Sequence, residues 1–500
     1  MRNKNPLTFI LFFFILAIGF LLRAQEMLSH NFLFLIDQGR DMMAVKDIVY
    51  NHHLTLIGPY TSLTGVFQGP IWYYLLSIPT FILNGDPWGA VVLMLTISMA
   101  LIIISFIFMR KLFDEKTALV TSFLLAISPE AISAATYSWN PHPMWLLIGL
   151  FIFFFYKVNL GQKKYHLFLW PLISLMFHFE GALAFFILIA SFIYLLLFNR
   201  RVINNKYFAF STLSSILLFL PQILFDLRHN FLMSRSFLSL FQGKDNGLIV
   251  GGEKLKYLNL MDSHIYAFKI NFISSFLHDG LMQNLPLFFF VFLVFMVLFA
   301  KRLKIVSDNE NYFLMMIVKT VLIIVALTFF YPFPLRYWFL TGFEIFYIFP
   351  LGLLLSKLLN LRIGKIFLLL LFVASILVLA PKINKLYSQP DYGGVAKIKG
   401  KIDAIKYIYD DAKGKPFNLL VFTPPVSTDA YDYLLWWYGK NKKLQVPKKE
   451  KKETFYLLME PDPGKPWSYN GWLETIIKNG TIISTKTLPS GLIVQKRIEY

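Results

Sequence analysis

Apolar residues run along this chain in long unbroken blocks, without the spaced stripes of a water-soluble helix or the alternation of a half-buried strand. Blocks at 6–22, 89–109, 117–134, 143–156, 166–177, 182–198, 207–225, 286–300, 312–330, 339–356 and 366–380 approach or reach the ~18–20 residues that cross a bilayer. They predict about eleven spanning helices. Those at 143–156 and 166–177 are short and would tilt, extend or stop partway. Met1-Arg2-Asn3-Lys4 ahead of the first block resembles the charged start of a signal peptide. The block is long and no small-x-small cleavage site follows, which predicts an uncleaved first span.

The polar intervals predict the rest. Residues 23–88 form a long connection with helical stretches around Met42–Val49 and Ile71–Leu83, broken at Gly58-Pro59, Gly69-Pro70 and Gly85-Asp86-Pro87. Residues 226–285 read as polar and irregular, with Gly251-Gly252. From 381 the pattern becomes that of a soluble α/β domain. Ile398, Ile402, Ile405 and Ile408 predict a helix over 394–412, and a second fits 429–438. Strands fit 418–423, 455–459, 481–485 and 492–496. The expected fold class is an α-helical polytopic membrane protein, residues 1–380, with a C-terminal soluble α/β domain, residues 381–500.

Composition agrees with that picture. The 500 residues are 56% hydrophobic, 18% aromatic and only 15% charged, which excludes an ordinary soluble enzyme. A net charge of +19 could point to nucleic acid. The basic residues instead cluster between apolar blocks, at Arg110, Lys111 and Lys116, at Lys157, Lys163 and Lys164, at Arg200, Arg201 and Lys206, and at Lys301, Arg302 and Lys304. The opposite short loops hold Arg23, Arg40, Lys46 and Arg336. This asymmetry predicts a cytoplasmic N-terminus, with 23–88, 226–285 and the tail outside the cytoplasmic membrane. There is no cysteine, so disulfides and thiol catalysis are excluded. No phosphate-binding loop, zinc motif or glycine-rich nucleotide fingerprint is present.

Polar residues then gather in loops of one predicted face. Asp37, Arg40 and Asp41 follow the first span. As plain structure, Asp37 would be an N-cap with Arg40 in the first helical turn. As chemistry, the carboxylates offer a general base or a metal ligand. Gln68-Gly69-Pro70-Ile71-Trp72-Tyr73 opens a helix at the membrane surface, where Trp and Tyr also form an interfacial belt. Tyr137-Ser138-Trp139-Asn140-Pro141-His142-Pro143 is either a rigid turn or a site loop presenting Asn140 and His142. His178-Phe179-Glu180-Gly181 interrupts an apolar stretch, where a carboxylate is costly unless paired or wet. Arg336, beside Tyr337, offers a guanidinium fork suited to a phosphate.

These residues, in this order, resemble the integral-membrane glycosyltransferases of the GT-C superfamily, and within it the protein O-mannosyltransferase and aminoarabinose transferase group. The likeness rests on Asp37-Gln38-Gly39-Arg40, Gly69-Pro70-Ile71-Trp72-Tyr73, Asn140-Pro141 and His178-Phe179-Glu180-Gly181. It implies inverting transfer of a sugar from a polyprenyl-phosphate donor to a hydroxyl of a glycan, lipid or protein. Asp37 would be the base, with Asp41 in support. Arg40, Gln68, Tyr73, Asn140, His142, His178, Glu180, Arg336 and Tyr337 would bind substrate, with Arg40 and Arg336 on the phosphate. Three positions depart from the family pattern: Gln38 stands where an acid often follows the first Asp, Asn140 replaces a second acid, and Gln68 replaces a lysine. The loss of acids disfavours a divalent metal. Two other classes compete: a lipid-linked substrate transporter or flippase, and a non-catalytic membrane scaffold. A transporter favours paired broken helices at mid-membrane, which this chain lacks. A scaffold leaves the outer carboxylates unexplained.

Overall fold

The computed structural model describes residues 6–241, 257–276, 305–359 and 390–499 except 463 and 466, with isolated positions between 360 and 389. The expected span at 286–300 lies outside the described residues, and so does most of that at 366–380. The helical domain starts with α1 (Pro6–Arg23), followed by α2 (Ile36–Tyr50) and α3 (Ile71–Ile82) in the first long connection. Then come α4 (Trp88–Leu112), α5 (Glu115–Ile127), α6 (Met144–Asn159), α7 (His166–Met176), α8 (Gly181–Phe198), α9 (Lys206–Arg228), α10 (Leu232–Phe241), α11 (Tyr257–Ser274), α12 (Asp308–Thr328) and α13 (Ile345–Leu358). Among the described residues α1, α4, α8, α9 and α12 are long and apolar enough to cross a membrane, and α3, α6 and α13 are shorter apolar helices.

Some expected boundaries move for local reasons. The block at 117–134 divides into α5 and a short helix at 129–133, because Pro129 forces Ser128 out of helical geometry (ψ 121°). The block at 339–356 opens with a 3₁₀ turn over Tyr337–Leu340 and becomes α13 only after Gly342, whose φ of +90° is open to glycine. The segment read as irregular, 226–285, is helical in its described parts, α10 and α11, while Gly251-Gly252 lies outside them.

Arg23, expected in a loop, is wholly buried. Its guanidinium donates to Leu125 O and Ala126 O, both at 2.7 Å, and to Ser98 Oγ at 2.9 Å. It thereby ties α1 to the unsatisfied carbonyls at the C-terminus of α5. A second tie uses Lys357 at the end of α13. Its ammonium lies 2.8 Å from Asp114, the N-cap of α5, and 2.6 Å from Glu310 in α12.

The tail folds as a small sheet with two helices, close to the pattern read from its residues. The elements are α14 (Ile398–Ala412), β1 (Asn418–Phe422), α15 (Asp429–Lys442), β2 (Glu453–Met459), β3 (Thr481–Thr487) and β4 (Ile493–Glu499). The strand order is β1-β2-β4-β3, with β1 parallel to β2 and the other pairs antiparallel. Strand β2 is buried on both faces: Tyr456 and Leu458 join the main core, and Phe455, Leu457 and Met459 pack with Phe422 and Ile477.

This domain sits directly on α2. Extended residues 32–34 pair with 396–398 through Phe34 N to Ala396 O at 3.0 Å and Ile398 N to Phe32 O at 2.9 Å. Tyr433 donates to Gly85 O at 2.7 Å. Gly39 permits the closest approach, since a Cβ there would overlap the backbone of Ala430 at the start of α15.

Candidate active site

The first turn of α2 is built by its neighbours. Its N-cap is Leu35, not Asp37: the backbone N–H of Leu35 donates to Gln38 Oε1 at 2.9 Å. Asp37 is therefore the second helical residue and its carboxylate is released from capping. Gln38 also donates from Nε2 to Ser138 O at 2.8 Å, joining α2 to the 137–143 turn. The amide at position 38 can do both; a carboxylate could not donate the second bond.

Arg40 Nη1 donates to Asp37 Oδ1 at 2.9 Å and Nε donates to Asp41 Oδ1 at 2.8 Å. The guanidinium lies over the Tyr60 ring, 4.7 Å from its centroid. Nη2 approaches Asp41 Oδ1 at 2.7 Å but off the line of its N–H, and has no aligned acceptor. Burial opposes the charge on Arg40, but Asp41 and Asp37 outweigh it and hold the group cationic.

The two carboxylates differ sharply. Asp37 is 36% exposed in its side chain. Asp41 is 1% exposed, accepts from Trp72 Nε1 at 2.7 Å, and burial pushes it up to about 6 against the pull of Arg40. Asp41 thus orients Arg40 and Trp72. Tyr73 is buried next to Arg40 and Asp41.

A cavity of about 1140 Å³ opens beside this turn. Asp37, Arg40, Gln68, Asn140, Glu180 and Tyr337 all border it, from segments far apart in sequence. Most of the remaining wall is apolar and aromatic, including Phe177, Phe185, Phe186, Phe219 and Phe330. The lining thus combines a few charged and polar groups with a mainly apolar surface, as a site for an amphiphile with a charged head requires.

Gln68 Oε1 accepts from Gly181 N at 3.0 Å, and Asn140 Nδ2 donates to Phe179 O at 2.7 Å. Two amides thus bracket Glu180. It N-caps α8 through Oε1, which accepts from Ala182 N at 3.2 Å, and burial pushes it up to about 8.

Asp41, Tyr73, His142, His178 and Arg336 do not border the cavity. His142 faces Tyr137 O at 3.0 Å and packs against the Tyr137 and Trp139 rings. His178 faces Leu218 O at 3.1 Å and occupies the space where Gly69 would carry a Cβ. Burial lowers both imidazoles to about 4, so both are neutral braces. Arg336 lies over Trp338 and acts electrostatically on Tyr331, which does border the cavity. Tyr60 and Tyr331 were missed as site residues by the reading of the sequence. Tyr60 carries no motif, and the ring placement that matters is tertiary.

Among the described residues no three His, Asp or Glu side chains gather closely enough to hold a metal ion.

Residues 68–225 match the family described as dolichyl-phosphate-mannose-protein mannosyltransferase. No curated protein matches the chain in sequence. The crystal structure of ArnT from Cupriavidus metallidurans bound to undecaprenyl phosphate superposes with a TM-score of 0.61 at 11% identity, over 98% of this chain and 97% of that one. The chain has the fold of that ArnT structure. The Archaeoglobus fulgidus oligosaccharyltransferase in its apo form aligns at 14% identity with a TM-score of 0.44, over 88% of this chain and 60% of its own. The matched family segment contributes Gln68, Asn140 and Glu180 to the cavity, while Asp37 and Arg40 enter from outside it.

Proposed function

We propose that the protein transfers a sugar from a polyprenyl-phosphate carrier to a hydroxyl group of a glycan, lipid or protein, with inversion, on the non-cytoplasmic face of the cytoplasmic membrane. The observation that carries this is that Asp37 and Arg40, paired at 2.9 Å, border a large cavity whose lining is mainly apolar and aromatic. The lipid tail occupies the apolar lining, and the phosphate lies against Arg40. Asp37, beside Arg40, accepts the proton of the acceptor hydroxyl. The hydroxyl oxygen attacks the anomeric carbon from the side opposite the phosphate. The bond from that carbon to the phosphate oxygen breaks, leaving its electron pair on the phosphate. Arg40 Nη2, which lacks an aligned acceptor, is the donor that meets this charge. Arg336 adds field through its position near Tyr331. The ArnT relative, bound to undecaprenyl phosphate, supports a lipid phosphate as the carrier. The orientation follows from the basic clusters of the other set of loops.

The test places the full chain in vesicles with a labelled polyprenyl-phosphate sugar. Release of free polyprenyl phosphate with the label on a hydroxyl acceptor is expected. Movement of intact donor between leaflets, with no bond broken, would replace this reading with a flippase.

A further inference from the structure

Glu180 is 5% exposed and borders the cavity beside the apolar Ala182, Phe185 and Phe186 of its own helix, which also line it. Its backbone is extended (φ −143°), which aims the side chain back over the first turn of α8. Oε1 accepts from Ala182 N, and the carboxyl group has no other hydrogen bond and no ion pair among the described residues. The titratable groups that border the same cavity from other elements are Asp37, Arg40, Tyr60, Asp226, Tyr331 and Tyr337. Asp226 is held by Met233 N, Ser234 N and Ser234 Oγ. On the loop of Glu180 itself, His178 is turned away toward Leu218 O.

The charges then decide the issue. Among the described residues Arg40 is the cation that borders the cavity, and it is already shared by Asp37 and Asp41. An ionised Glu180 plus an anionic phosphate would add two negative charges to a mainly apolar space, and Arg40, already paired with two carboxylates, would have to meet both. A protonated carboxyl removes that repulsion and turns an acceptor into a donor.

We infer that Glu180 is a further catalytic residue, acting as a neutral carboxylic acid whose O–H donates to an oxygen of the lipid-linked phosphate. This deepens the transferase reading and rests on it for the identity of the phosphate. When the sugar–phosphate bond breaks, the electron pair goes to the phosphate oxygen, and the Glu180 O–H bond to that phosphate strengthens. The proton stays on Glu180, and the acceptor's proton goes to Asp37. Burial places the titration of Glu180 near 8, while Tyr331 is pushed up to about 12 and stays protonated.

The test measures binding of undecaprenyl phosphate to the full chain between pH 7 and 9.5. Wild type is expected to weaken about tenfold or more across that range, the size of one charge-assisted hydrogen bond turned repulsive. Glu180→Gln keeps the cap to Ala182 N and a neutral donor. It is expected to bind at pH 7 within about threefold of wild type, to lose the pH dependence, and to turn over several-fold more slowly. Glu180→Ala is expected to bind weakly at both pH values. A flat wild-type profile, or Gln behaving as Ala, overturns the inference. Infrared difference spectra of wild type against Glu180→Gln supply an independent reading. A protonated carboxyl stretch at pH 7 supports the inference, and its absence sinks it whether or not the chain transfers sugar. Failure of transfer with that band present would sink only the transferase reading.

Discussion

Asp37 and Glu180 border one cavity but are held in opposite ways. Asp37 stands 36% exposed in the first turn of α2, with Arg40 2.9 Å away. Glu180 is buried at the start of α8 with one backbone N–H and no cation. On the proposed mechanism the paired, partly exposed carboxylate takes the acceptor's proton. An unpaired buried one holds its proton and can donate a hydrogen bond. Two carboxyl groups of almost the same chemistry thus acquire different roles from their surroundings.

The same acid-to-amide change at both positions probes this difference. Asp37→Asn removes the base and is expected to lower transfer by about 10²–10⁴ with the fold intact, as read by donor turnover and thermal melting. Full activity in that variant would end the assignment. Glu180→Gln is expected to cost only several-fold.

The second probe separates the two sides of the cavity. In an ordinary helix Gly→Ala stabilises by about 1 kcal/mol. Gly39→Ala is expected to do the reverse, costing about 1–3 kcal/mol, because the new methyl meets the backbone of Ala430. Limited proteolysis should show the tail loosened from α2, with turnover reduced. A stabilised Gly39→Ala protein would mean that the domain does not rest on this helix.

The smallest expected effect is a pH slope in stability. Glutamate ordinarily titrates near 4.5, and burial moves Glu180 to about 8. Between those values the folded chain holds a proton that the unfolded chain has lost. The contribution is therefore full below 4.5 and declines as pH rises through 8. Glu180→Gln removes this slope, and the melting temperature of wild type relative to the variant should fall by roughly 2–4 °C from pH 5 to pH 9. An unchanged difference would show that Glu180 is not desolvated.

Much of the architecture was legible because apolar run length is a local property. The described spans lie within a few residues of the blocks, and the tail elements appear at 398–412, 418–422, 429–442, 453–459, 481–487 and 493–499. The site was legible in part. Asp37, Arg40, Gln68, Asn140, Glu180 and Tyr337 meet at one cavity, although they span three hundred residues of sequence. His142, His178, Arg336, Tyr73 and Asp41 share the same motifs but do not border it. A motif records which residues are neighbours along the chain and does not record which side of a turn faces a void.

The three departures from the family pattern show the same limit. Gln38, Asn140 and Gln68 read as missing charges. In the folded chain Gln38 spans Leu35 and Ser138, Asn140 holds Phe179 O, and Gln68 holds Gly181 N. Each amide fastens one loop to another.

By itself the sequence determined a helical membrane domain, an α/β tail, and a set of polar loops sharing a face, because hydrophobic run length and periodicity act within a segment. The tertiary structure decided which carboxyl is buried and which is partly exposed, which arginine N–H lacks an aligned acceptor, and why residue 39 is glycine. Those outcomes depend on burial, pairing and contact between segments hundreds of residues apart, and such energies exist only once the chain has closed on itself.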